Sequence, residues 1–323
     1  MKTSISYSLI AAAMACGFAN GQTTAYTTPV GYVTQALAAD QFNLVGTTVQ
    51  QSTAAAGVID AVTSTSVTDN GVNFTTTLTA GTVYVLELNN GTIQEITSWS
   101  GSVLTTPSNL VSQVTAGTTT YKIRPAATIS SIFGAANSAG LTPSPDGSTG
   151  NADTIQLYNG AGFDVIVYIN DGAGTEGWYT EGGEPAANLP VVYADGFFVK
   201  RTTGIGPINL VVSGEIKTAP TSGVLTPGFN YLGAVAPVGL TLANSGLSNY
   251  ISPSPDGDAA TSDSVQIQVG AAYVVCMYID GLGWYSEAGD AVDSQVLDSG
   301  FLIQNRGTTK PYTVSVPSSY SSL

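Results

Sequence analysis

Two aspartate pairs at one spacing are the side chains in this sequence best placed to do chemistry. Asp146 and Asp153 stand seven positions apart, as do Asp256 and Asp263, with Asn151 inside the first loop and Asp258 inside the second. Calcium asks for about six to eight hard oxygen ligands, and a short Asp/Asn/Ser/Gly loop offers carboxylates and carbonyls of that kind. Each loop opens as Pro-Ser-Pro-Asp-Gly, at 143–147 and 253–257. There Asp accepts backbone N–H bonds and Gly takes the left-handed position of a turn, so the simpler reading of the same residues is structural. Neither loop has the alternating Asp-x-Asp-x-Asp-Gly order with a distal Glu that an EF-hand needs.

Aromatic pairs form the second constellation. Trp178-Tyr179 and Trp284-Tyr285 each follow a glycine. Adjacent strand positions face opposite sides, so one ring of each pair belongs to the core and the other is free to stack on a sugar ring or a neighbouring subunit. A tryptophan recurring at one place per module is most simply a packing anchor. Glu181 and Glu287 follow at equivalent positions and raise the question of carboxylate-dependent glycan hydrolysis, yet an acid and a base in separate modules do not make one site. No histidine exists, which removes the usual Ser-His-Asp and Cys-His nucleophiles, the base poised near neutrality and most zinc sites. The expectation is a non-enzymatic chain, with no cofactor beyond the calcium weighed above.

These residues are carried by a duplicated unit. Pro143–Gly147, Asp153–Leu157 and Tyr168–Asn170 return as Pro253–Gly257, Asp263–Ile267 and Tyr278–Asp280, all at an offset of 110. The offset falls to 106 at Gly177-Trp178-Tyr179 and to 104 at Gly196-Phe197-Phe198-Val199, length changes that fall in Gly/Asp-rich loops. Trp99, Trp178 and Trp284 each precede a glycine-opened strand by 18, 18 and 16 residues, and Phe42–Gly46 is echoed by Phe229–Gly233. The sequence therefore predicts a diverged module over 22–124 and two closer copies over 125–220 and 221–323. Hydrophobic periodicity is two, in Val83/Val85, Ile166–Ile169 and Leu210–Val212, and Asn-Gly or Asp-Gly turns recur every ~8–12 residues. The expected fold is all-β: tandem β-sandwich or β-barrel-like modules with a few short helical turns, at 129–139 and 240–247.

Composition narrows the partners. With 22 acidic and 8 basic side chains the net charge is −14, which gives neither nucleic acid nor an anionic membrane any attraction. Strands of about 5–7 residues between turns are too short for a membrane-spanning barrel, which needs ~9–11. Residues 1–21 read as an export signal, with Lys2 before the apolar run 5–15 and small residues at the cleavage site. Cys16 lies in a lipoprotein-like context but lacks the usual Leu three positions before it, so no lipid anchor is expected. Its removal leaves Cys276 alone in an apolar run, a buried small hydrophobe rather than half of a disulfide. Lys122, Arg124, Lys200, Arg201 and Arg306 cluster after the glycine-opened strands, where they are expected to pair with carboxylates near module junctions.

Taken together, Pro29-Val30-Gly31-Tyr32-Val33-Thr34, the Pro-Asp-Gly loop before Asp-Thr-Ile-Gln-Leu, Gly-Trp-Tyr, Gly-Phe-Phe-Val-Lys-Arg and Leu-Val-Val-Ser-Gly-Glu resemble an uncharacterised family of exported β-rich repeat proteins of verrucomicrobial and planctomycete-type bacteria. The resemblance implies export and a β-rich fold and carries over no catalytic residue. The functional expectation is an exported protein, extracellular, periplasmic or on the cell surface. It is structural or interactive and able to self-associate or to bind a surface matrix. The alternative is a carbohydrate- or matrix-binding protein using exposed aromatics, with a carboxylate-dependent glycan-active enzyme behind it.

Overall fold

The structure is a computed structural model and describes residues 29–322; the expected export signal and Cys16 lie outside the described residues. The chain is all-β. β-branched and aromatic runs form antiparallel open sheets, and among the described residues none closes into a barrel. The strand Phe163–Asn170 covers the predicted Ile166–Ile169 run and Ile208–Glu215 covers Leu210–Val212. A short helix, Ile129–Phe133, starts where the first helical turn was expected, closed by a capping box between Thr128 and Ser131. The second expected turn, 240–247, is not helical before Leu247, where a 3-10 turn runs over Leu247–Asn249, and a one-turn helix at Phe74–Thr77 has no counterpart in the sequence reading.

Strand pairing redraws the module boundaries. Val30–Leu37 pairs along its whole length with Ile208–Glu215, and Phe42–Gly46 pairs with Gly196–Lys200. The first two strands among the described residues thus complete the second module, and residues 51–125 are inserted between them and the rest of it. Its five-stranded sheet runs Glu176–Thr180, Phe163–Asn170, Thr154–Tyr158, Gly196–Lys200, Phe42–Gly46. The last module repeats this order within one stretch: Gly283–Ser286, Ala272–Ile279, Ser264–Val269, Gly300–Asn305, Gly228–Gly233. A two-stranded ribbon accompanies each sheet, Thr221–Leu225 with Lys310–Val314 matching the Val30–Leu37 ribbon. The insert keeps the same order in four strands, Ala55–Val58, Thr120–Pro125, Tyr84–Leu88, Ile93–Ile96, which supports common descent. Its Trp99 strand turns away into a second small sheet, so the expected equivalence of the three tryptophans holds for two.

Three hydrophobic clusters match this division: one around Phe74 and Ile123, one around Phe133 and Trp178, one around Trp284 and Phe301. Leu37, Val45 and Val49 belong to the second cluster, as the pairing requires. Cys276 is free and buried. The two repeated sheets meet along their outermost strands through glycine. A β-carbon added at Gly46 would come within 2.8 Å of Gly233 Cα, and one at Gly300 within 2.9 Å of Val45 O. Each sheet's edge strand lies against the other's glycine pair, a reciprocal arrangement.

Candidate ligand groove

The aspartate pairs separate into two kinds. Asp146 and Asp256 are exposed, and each takes the backbone N–H two residues on, from Ser148 at 2.9 Å and Asp258 at 3.1 Å. These bonds hold both carboxyls below the usual range, those from Ser148 first at Asp146 and that from Thr261 first at Asp256. Asn151 and Asp258 are exposed. Asp153 and Asp263 are fully buried. Asp153 accepts from the N–H groups of Thr142 and Thr202, both at 2.7 Å, and from Arg201 Nη1 at 2.5 Å. Asp263 repeats the set with the N–H groups of Ser252 and Arg306 and with the Lys310 ammonium. The carboxylates staple loop to strand, and a calcium ion bound there would have to displace a cation already in place. The exposed and buried aspartates of a loop do not converge, and among the described residues no group of three acidic or sulfur ligands gathers.

Both indoles are interior. Trp178 packs on Tyr168 and Phe133 and donates to Gly134 O at 2.8 Å, and Trp284 packs on Tyr278. Neither offers a face to a ligand, because burying them closes the open side of each module's core. Tyr179 and Tyr285 are half-buried on the opposite face, and Glu181 and Glu287 are exposed in their separate sheets.

Arg124 and Arg201 do pair with carboxylates, but inside the protein rather than at its surface. Glu87, Arg124, Glu215 and Lys217 form a buried network where the insert leaves and rejoins the second module, with Gln50 reaching Glu87 at 3.3 Å. The strand Tyr84–Leu88 is buried on both faces, not one, which is what puts Glu87 inside. The adjoining cavity of about 480 Å³ is lined by Glu87, Arg124 and Lys217 of this network and by the exposed Lys122.

Two further grooves lie beside the glycine contact and correspond in part, the second adding Val85, Ile93, Gln94 and Glu95 of the insert to its walls. In one, of about 490 Å³, Gln268 lies across the outer edge of Phe42–Gly46: its Oε1 accepts from Leu44 N at 2.6 Å and its Nε2 donates to Phe42 O at 2.5 Å. Gln41 and Ser299 add bonds to Gly270 O at 3.0 Å and Leu44 O at 3.0 Å. In the other, of about 450 Å³, these places hold Tyr158 for Gln268, Gly228 for Gln41, Asp195 for Ser299, Phe229 for Phe42 and Tyr231 for Leu44. Tyr158 and Tyr231 stack at 4.9 Å and 41°. Tyr158 is 44% and Phe229 43% exposed, so aromatic surface is open to solvent here. Burial, then the neighbouring Tyr158, raises the Tyr231 phenol, and burial, then the Asp195 charge, raises that of Tyr312 below it.

The sequence reading placed the exposed aromatics beside the tryptophans and missed this groove. Tyr158 and Tyr231 sit in different modules, and only the offset of the repeat, which sets Tyr158 against Gln268, signals that the two copies diverge here. No family model, no curated protein and no solved structure matches the chain.

Proposed function

We propose that the chain is an exported, non-enzymatic interaction protein of the cell surface or its matrix, and that the groove along Gly228–Gly233 holds carbohydrate. The observation that carries this reading is the aromatic wall of exposed Tyr158 and Phe229 with half-buried Tyr231 in a concave site. Aromatic faces pack against the apolar C–H face of a sugar, while Asp195 and Glu95 on the same walls accept its hydroxyl protons. Two carboxylates in the groove and a net charge of −14 select neutral over anionic chains. The test is co-sedimentation with insoluble cellulose, β-1,3-glucan and starch. Retention on at least one is expected, with roughly tenfold loss on changing Tyr158→Ala together with Phe229→Ala. Binding to none, or binding untouched by the double change, overturns the assignment.

Self-association keeps one specific support. The ribbon Val30–Leu37/Ile208–Glu215 turns Val30, Tyr32 and Val211 outward, 72%, 75% and 56% exposed. Sedimentation velocity of the native protein against Tyr32→Ser with Val211→Ser tests it, and a monomer at all concentrations removes it.

A further inference from the structure

Resting on the carbohydrate reading, we infer that the groove recognises its ligand through the backbone edge of Gly228–Gly233: a neutral saccharide bearing a vicinal diol, one hydroxyl accepting from Tyr231 N–H and its neighbour donating to Phe229 C=O, with the ring on Tyr158. In the sister groove the protein supplies its own occupant. Leu44 N–H and Phe42 C=O point out of their sheet and are met by the Gln268 carboxamide. The register Asn43↔Val199 is reproduced by Asn230↔Ile303. Asn230 and Asn43 even share the same side-chain bonds, to Ile303 O at 3.2 Å and Val199 O at 3.1 Å. Tyr231 N–H and Phe229 C=O therefore point outward too, from the outermost strand of their sheet.

At Gln268's place stands Tyr158, whose hydroxyl turns to Gly160 O at 3.1 Å and which has no amide to lay along that edge. A strand edge with its donor and acceptor uncovered is a binding template. Gln268 shows the form of group that suits it, an acceptor and a donor held side by side on one planar carboxamide. Neighbouring equatorial hydroxyls on a pyranose present that pair. A secondary amide does not, because its N–H and C=O point in opposite directions. An extended peptide could meet the same two groups by strand addition, but its backbone gains nothing from the Tyr158 ring beside the edge, which packs on the Tyr231 ring.

The experiment titrates the isotope-labelled full chain with cellohexaose and, separately, maltohexaose, following the Tyr231 backbone amide by NMR and affinity by calorimetry. A saturable Tyr231 shift is expected with at least one. Tyr158→Gln should bind about tenfold more weakly than Tyr158→Ala, since glutamine lays its own amide along the edge while alanine leaves it open. Gln268→Ala, which uncovers the sister edge, should bring the Leu44 amide into the titration. Equal affinities for Tyr158→Gln and Tyr158→Ala, with Tyr231 unmoved by a bound sugar, overturn the edge assignment while leaving the carbohydrate reading intact. Failure of both sugars to bind removes the edge assignment, and the carbohydrate reading falls with it if none of the three insoluble glucans retains the protein. A Tyr231 shift caused only by an extended peptide of alternating Val and Thr replaces the saccharide with strand addition. Melting curves of each variant confirm that a lost signal is not a lost fold.

Discussion

Arg201 and Lys310 neutralise equivalent aspartates from positions that do not correspond. Arg201 occupies the place of Asn305, and Lys310 the place of Gly206, the residue whose carbonyl Arg201 Nη2 reaches at 2.8 Å. After duplication the buried carboxylate stayed and its cation was supplied anew, because a buried charge left without a partner costs several kcal/mol while the source of the partner is free to change.

Moving the cation tests this. Arg201→Asn should destabilise the protein by about 3–5 kcal/mol, leaving Asp153 buried without a cation. Adding Gly206→Lys should restore much of that loss, since a β-carbon at Gly206 meets nothing within 4 Å. Urea denaturation reads both. On the same footing, chelator should leave the melting temperature of the native protein unchanged, because the buried carboxylates are held by protein groups.

Acid should strike the same staples. Burial opposes ionisation of Asp263, but the Lys310 ammonium and the N–H groups of Ser252 and Arg306 outweigh it and hold the carboxyl below its usual range. A carboxyl depressed by folding stabilises fully above its unfolded value, about 4, and loses that contribution as pH falls through the folded value. Stability should therefore be flat with respect to this group from pH 7 to about 5 and fall below 4. Asp263→Asn should be less stable at pH 7 and show a shallower acid fall; an identical acid limb in denaturation curves at pH 7, 5 and 3 would remove Asp263 from the account.

Lys217 carries the opposite slope. Burial pushes its ammonium down to about 7, in a pocket where Glu87, Arg124 and Glu215 are the charged neighbours and the Tyr193 ring lies 5.5 Å away. The unfolded chain, with an amine near 10.4, binds that proton more tightly, so the cost of burial is full below pH 7 and is relieved as pH climbs toward 10. The native protein should gain stability between pH 7 and about 9.5, and Lys217→Met should abolish the gain. Parallel pH profiles for the two proteins would show that Glu87 keeps the amine charged throughout.

The all-β class and the turn chemistry were legible because they are local: Asn159-Gly160 and Asp280-Gly281 close hairpins through residues that specify a turn wherever they occur. The insertion was not. Phe42–Gly46 resembles Phe229–Gly233 as well in an independent module as in a strand that waits some 150 residues for Gly196–Lys200, and hydrophobic pattern carries no record of pairing distance. Likewise Trp178 and Tyr179 announce opposite faces, while which face is core depends on what Phe133 and Tyr168 bring to it. Glu87 reads as the polar position of an alternating strand; only the docking of the second module's Glu215 edge over it makes it a buried ion.

The reciprocal glycine contact makes the last prediction. Gly46 and Gly233 lie in the edge strands of two sheets, and a β-carbon on Gly46 would approach Gly233 Cα at 2.8 Å and Ala234 N at 3.1 Å. These neighbours are backbone and cannot rotate aside, so Gly46→Ala and Gly233→Ala should each cost about 1–3 kcal/mol by forcing the sheets apart. Gly206→Ala, with open space around it, should stay within about 0.5 kcal/mol of the native protein. Because the same separation would tilt Tyr158 away from Tyr231, the Gly46→Ala protein should also show altered tyrosine fluorescence without losing its three cores. Wild-type stability in both alanine variants would mean that the two modules fold without leaning on each other, and that the groove between them is not preformed.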